Sequence, residues 1–277
     1  MAVPNLRPSP IAGLWYEGNP KALAASIDSY LDNAKKTKMD GKVIAIMSPH
    51  AGHRYSGAVA GSAFATIRGQ NPDLVAIISP MHHPYQEAML VTAHEAYSTP
   101  LGSLPVDRSM VDKLNASLQS DLGIGISPVF EDPEHSLEIV LPFLQRALSG
   151  EFKLLPIMLR EQSPHLAEKL GHCVAKILKG TNCLLVASTD LSHFYTEEEA
   201  CVYDAEMLRQ VNYSLPREFS RRKKKTLVLR VAQVLWLQCC GLPRTWVRIP
   251  SRSFIMPLQV LSPVITTVWS VTELPWL

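Results

Sequence analysis

Among its 277 residues the sequence has no Cys-x-x-Cys pair, no apolar run long enough for a membrane span, and no internal repeat or low-complexity stretch ahead of its C-terminal tail. Five cysteines, Cys173, Cys183, Cys201, Cys239 and Cys240, follow neither disulfide-scaffold nor zinc-site spacing. No charged-then-apolar leader precedes the first strand pattern, so a reducing cytoplasm is the expected compartment and disulfides are not expected. The most membrane-like stretch, residues 227–242, is interrupted by Arg230, Gln233 and Gln238 and falls short of the roughly 20 residues a span needs, so no membrane partner is expected. The formal charge of +2 also lacks a strong sign, but it is unevenly distributed. From Arg217 onward ten Lys/Arg face two acidic residues, giving +8, whereas the preceding chain, with 17 basic and 23 acidic residues, carries −6.

A hydrophobic content of 47% over this length supports a sizeable core. Three short runs, residues 43–48, 74–79 and 183–188, are continuously apolar without polar alternation, the pattern of parallel strands covered on both faces. Helical patterns separate them at 57–67, 108–118 and 165–178, and Asn19-Pro20 opens another that ends near Ala34. Residues 152–159 form a further strand candidate despite Pro156. Asp132-Pro133 opens a helix striped by Leu137, Val140, Leu141 and Leu144, which Pro142 is expected to kink or end. The order implies an α/β fold with a mostly parallel central sheet flanked by helices.

Each of the three best strands runs directly into possible metal ligands: Pro49-His50 after the first, Pro80-Met81-His82-His83 after the second, and Thr189-Asp190-Leu191-Ser192-His193 after the third. Sites in open α/β sheets form beyond the carboxyl ends of the strands, so these three endings can meet in one crevice. Imidazole suits iron, copper and zinc, and two histidines with one anionic ligand leave positions open for substrate or oxygen. Of His82 and His83 only one is expected to face the site, because successive residues of an extended chain point opposite ways. Asp190 and His193 form a candidate acid/base pair, against the plainer reading of Asp190 as a helix cap. Glu134, His135 and Glu138 stand at a helix start, where acidic residues are also simply favourable to the helix dipole.

At these residues the sequence resembles the Memo family, known in prokaryotes as protein B of the AmmeMemoRadiSam group, which is similar in fold to the class III extradiol dioxygenases. The matching motifs are Ala12-Gly13-Leu14-Trp15-Tyr16, Pro49-His50-Ala51-Gly52 with Tyr55-Ser56-Gly57, Ser79-Pro80-Met81-His82-His83, Glu134-His135-Ser136-Leu137-Glu138 with Leu141-Pro142, and Ser188-Thr189-Asp190-Leu191-Ser192-His193. The resemblance implies an extradiol dioxygenase-like fold and a metal held by two histidines and one cysteine. That makes His50 and His82 the expected metal ligands, with Asp190 and His193 lining the cleft. Expected catalytic candidates are His193, Asp190 and His135, and expected cofactors are iron or copper, with zinc possible. A small molecule or a peptide is the expected occupant of the cleft, and no nucleic-acid partner is expected. Rival readings are a non-catalytic metal-binding or interaction module and a metal-dependent hydrolase.

The resemblance covers residues 1–210 as one Memo-like domain and stops at 211–277. There the family's C-terminal pattern, a Cys-Gly ligand motif followed by a helix and a segment like Tyr-Ala-Thr-Ser-Gly-Asp-Val-Thr-Gly-Asp-Tyr, is not matched as written. The codons of residues 230–243, read from their third base, can encode Cys-Gly-Thr-Gly-Pro-Val-Ala-Ala-Val-Leu-Trp-Ala-Ala, and the same offset over 255–277 can give Tyr-Ala-Thr-Ser-Gly and Val-Thr-Gly-Asp-Tyr. The tail is therefore expected to be a frame-shifted version of the domain's own C-terminal part. That expectation also accounts for the run Arg221-Arg222-Lys223-Lys224-Lys225, whose competing reading is a nucleic-acid or anionic-lipid patch. Two imidazoles without the thiolate would leave the ligand set of this chain incomplete.

Overall fold

Apolar runs with no polar alternation can satisfy both their faces only inside a molecule, and in the computed structural model, which describes residues 5–35, 41–213 and 268–271, they become the middle of a sheet. Strands β2 (Lys42–Ser48), β9 (Cys183–Ser188), β3 (Leu74–Pro80) and β8 (Lys153–Leu159) lie side by side in that order, all parallel. Every residue of β3 is buried. Pro156 is accommodated in β8 opposite Ile77. The sheet continues past β8 through β4 (Met89–Thr92), antiparallel to it, and β7 (Ser127–Val129), parallel to β4. On the opposite edge β10 (Val268–Val271) pairs antiparallel with β2. A second sheet joins β1 (Leu6–Arg7) in parallel to β5 (Ala96–Thr99), which forms a hairpin with β6 (Gly102–Pro105).

Helices cover the sheet in two groups. In the first, α1 (Pro20–Asp32) packs on α2 (His53–Ala65) and α5 (Leu141–Ala147). Asn19 starts α1 as the sequence suggests, its side chain accepting from the amides of Lys21 and Ala22. A Cβ on Gly61 would lie 2.6 Å from the backbone oxygen of Tyr30, so only glycine permits this approach of α1 and α2. In the second group α3 (Arg108–Leu122) packs on α6 (Pro164–Ile177), and Gly123 ends α3 at a φ of 71°. Helix α7 (Glu197–Tyr213) follows β9. No helix of the described residues is long and apolar enough to cross a membrane.

Two expectations need correction. The helix expected to open at Asp132-Pro133 begins only at His135, and the interruption expected from Pro142 divides it into α4 (His135–Glu138) and α5, parted at Ile139 and Val140. Pro142 would clash with the carbonyl of residue 138 in a continuous helix, and it sits instead in the first turn of α5, where no amide is required. The cap of α4 is Glu134, whose side chain accepts from the amide of Ser136. Likewise α2 begins at His53, several residues before its apolar pattern becomes visible. The anticipated change of reading frame falls on residues 211–277, of which only 211–213, at the end of α7, and β10 are among the described residues.

Candidate metal centre

Because β2, β9 and β3 run parallel, their carboxyl ends open on the same edge of the sheet, and His50 and His82 reach one place from two of them. A third imidazole joins them. One ring nitrogen from each of His50, His82 and His135 lies within 4.8 Å of the other two, a grouping that could hold a metal ion. Ring centroids are 5.3 Å apart for His50 and His82, 5.6 Å for His50 and His135, and 4.5 Å for His82 and His135.

Hydrogen bonds between the chain segments fix this meeting. The Thr189 amide donates to the Ser48 carbonyl at 2.8 Å, joining the ends of β9 and β2. The His50 amide donates to Asp190 Oδ1 at 2.6 Å. Ser136 Oγ donates to the Pro80 carbonyl at 2.9 Å, tying α4 to the end of β3, and Ser188 Oγ donates to the Ser136 carbonyl, tying β9 to α4. Glu134, fully buried, accepts from the His82 amide at 2.6 Å through Oε2, while its Oε1 lies 2.8 Å from His82 Nδ1 and 3.3 Å from His135 Nδ1. His50 Nδ1 lies 3.2 Å from Ser188 Oγ. The donor set is thus three imidazoles with every Nδ1 beside a protein oxygen, which fits a borderline metal ion.

Behind Glu134 lies a buried ionic cluster. Arg7, with no exposed side-chain surface, donates through Nε to Asp132 Oδ2 at 2.7 Å, through Nη1 to Glu138 Oε2 at 2.6 Å, and through Nη2 to the Glu134 carbonyl at 2.6 Å. Tyr97 packs its ring 5.0 Å from the guanidinium. Glu138 also accepts from the Tyr16 hydroxyl at 2.7 Å, so it faces this cluster rather than the cleft, although it shares α4 with His135. Asp132 Oδ1 accepts from the Glu134 amide at 2.9 Å. The motif around Trp15 and Tyr16 therefore braces the site from two directions, since the Trp15 ring rests 4.3 Å from that of His135.

Local environment separates the titrating groups. Burial pushes His50 down to about 4 despite the nearby Asp190, so its ring is neutral at physiological pH. Burial also lowers His135. His82 is raised by its hydrogen bond to Glu134. Burial opposes ionisation of Glu134, yet hydrogen bonds from His82 and Ser136 outweigh it and hold the carboxyl down at about 2.

On the opposite rim, Asp190 Oδ2 lies 3.7 Å from His50 Nε2 and 3.2 Å from His193 Nε2, joining the two rings through one carboxylate. Asp190 does not cap a helix, because α7 begins seven residues later and the carboxylate is engaged with His50 and His193. His193 is half exposed. Of the residues that sequence reasoning singled out, His50, His82, His135, Asp190 and His193 stand around the cleft while Glu138 turns to the Arg7 cluster, and the structure groups His135 with His50 and His82, with Glu134 and Ser188 as their ring partners. Arg7 was not anticipated, because a lone arginine in an N-terminal segment carries no sign of burial.

A family profile described as Memo-like protein matches residues 7–231 of this chain. A MEMO1 family protein of Nitrosopumilus maritimus is 30% identical over 210 residues, covering 74% of this chain and 75% of the relative. One from Methanosarcina mazei is 31% identical over 200 residues, 69% of this chain and 72% of the relative. One from Thermotoga neapolitana is 38% identical over 153 residues, 54% of each.

Proposed function

This chain belongs to the Memo family, and on that footing we propose that it is a cytoplasmic metal-dependent protein holding one redox-capable ion, iron or copper, at His50 and His82. The observation that carries the reading is the gathering of three imidazoles within 4.8 Å at the carboxyl edge of the parallel strands. Such a set suits iron, copper or zinc, and it leaves coordination positions free for a ligand. Once bound there, the ion would supply Lewis acidity and, if redox-active, a route to oxygen chemistry. The fold likeness to extradiol dioxygenases points to a small aromatic or phenolic substrate in the cleft.

Within that reading the chain's own residues divide the work. His193, half exposed and 3.2 Å from Asp190, accepts the phenolic proton of a bound substrate, and the carboxylate stabilises the imidazolium that results. Trp15 rests its ring against one side of His135. The frame change beyond residue 211 belongs to the same proposal, because the restored frame would return the Cys-Gly ligand motif. Sequencing the gene across that junction checks it, and an uninterrupted native frame there would overturn it.

Metal analysis of the purified protein, together with oxygen uptake on candidate catechols using the frame-corrected chain, tests the function. Stoichiometric iron or copper with catechol-dependent oxygen consumption is the expected result. Bound redox metal without turnover would instead favour a binding module, and tightly held zinc alone would favour hydrolysis.

A further inference from the structure

We propose that Arg7 is a positioning residue for the crevice: through the backbone of Glu134 it sets how the His82 ring is held and which of its nitrogens carries the proton. None of the Arg7 hydrogen bonds goes to an imidazole, so its action is indirect. Only the consequence for metal affinity rests on the metal-binding reading above.

Glu134 is where the arginine and the imidazole are joined. Its amide donates to Asp132 Oδ1 at 2.9 Å, Asp132 Oδ2 accepts from Arg7 Nε at 2.7 Å, and the Glu134 carbonyl accepts from Arg7 Nη2 at 2.6 Å. These bonds close a ring that starts and ends on one guanidinium and grips the Glu134 backbone on both sides. The helix that Glu134 caps cannot supply that grip, because α4 has four residues and a first turn fixes many dihedrals for few hydrogen bonds. Held from behind, the side chain directs the ring in front. The Glu134 carboxyl, held down at about 2, is ionised and can only accept, so the proton between its Oε1 and His82 Nδ1 belongs to the ring. Oε2 takes the His82 amide, so backbone and ring of His82 are fixed by the same group, with the ring lone pair left on Nε2.

The choice of residue points the same way. Burying a whole guanidinium with two carboxylates is costly, and well-packed apolar residues in their place often give equal stability. Apolar packing gives no direction, however, whereas a planar fork of donors fixes several acceptors at once. Arg7 arrives on β1, a two-residue strand that pairs with β5 and is tied by the Glu95 amide to the Asn5 carbonyl at 2.8 Å. The small sheet thereby delivers one guanidinium to the back of the crevice. Lysine at this position would keep the cation that Asp132 and Glu138 need, but one ammonium cannot reproduce the fork.

Arg7→Lys in the full chain is therefore the informative change. In the metal-free protein, NMR of the ring nitrogens is expected to find the His82 proton on Nδ1. In R7K the tautomer ratio should move toward Nε2–H by about 10-fold, the equivalent of one hydrogen bond to a charged group. Asp132→Asn weakens the same ring of bonds at a second point and should move the ratio the same way, so the test does not hang on the folding of R7K alone. With cobalt(II) as the probe, R7K should bind about 10-fold more weakly, as when an orienting partner is disturbed. The double variant R7K/E134Q should bind within about 2-fold of E134Q alone, since both changes act through one carboxylate. A native His82 protonated on Nε2, losses that multiply in the double variant, or lowered unfolding stability with an unmoved tautomer ratio would each overturn the inference, the last leaving Arg7 a structural brace only. A native chain that takes up no cobalt(II) would sink the metal reading, and the tautomer comparison would still decide the role of Arg7.

Discussion

Where β3 ends, His82 is held twice by one buried carboxylate, through its backbone amide and its ring, and that carboxylate in turn caps α4 and stands beside His135. Where β9 ends, Asp190 is tied to His50, but His193 stands half exposed and is followed by Phe194, an exposed aromatic at a φ of 64°, which is uncommon for a bulky residue. Both rims derive from the same device, a parallel strand ending in a histidine-bearing loop. They differ in what stands behind the loop. The first rim is backed by the Arg7 cluster and has its imidazoles in fixed orientations, as a ligand set requires. The second is backed by solvent on one side, which suits a group that exchanges protons. Rigid holding and proton mobility are thus divided between two edges of one crevice.

The sharpest way to break this contrast is to remove the support of the first rim. Arg7→Met leaves Asp132 and Glu138, both without exposed side-chain surface, lacking their cation. Breaking such a buried pair from one side should cost about 3–5 kcal/mol, read from chemical unfolding of the two proteins. An unchanged unfolding midpoint would mean that the cluster does not brace the rim. A milder probe is Glu134→Gln, which keeps the side-chain shape but puts an amide N–H where one of the present donors must point. Cobalt(II) affinity should fall by about 10–100-fold. Equal affinity would show that the rings keep their orientation without the carboxylate. The smallest effect is expected on the second rim. His193→Ala should change folding stability by no more than about 0.5 kcal/mol, since an exposed loop residue is involved, while any catechol-dependent oxygen uptake disappears. A large loss of stability there would erase the difference between the rims.

Much of this was legible in the residues. The β2, β3 and β9 runs were recognisable because a strand covered on both faces has no polar alternation, and β8 was read despite its proline. The short strands β1, β4, β5, β6 and β7, of two to four residues, left too little pattern to read and owe their state to their partners. His50 and His82 were visible as strand-end histidines, but the company His135 keeps was not. A histidine opening a four-residue helix looks the same whether it meets solvent or two other imidazoles.

By itself the sequence determined the family, the parallel strands and the strand endings that bring ligands to one edge, because period and composition are local properties that survive in one dimension. Only the tertiary structure decided which histidines meet, which nitrogen each ring presents, and that an N-terminal arginine is buried behind them. Those outcomes depend on contacts between residues far apart in the chain, 52 positions for His82 with Glu134, 125 for Arg7 with Asp132 and 138 for His50 with Ser188. Spacing along the chain carries no record of such contacts until the sheet is assembled.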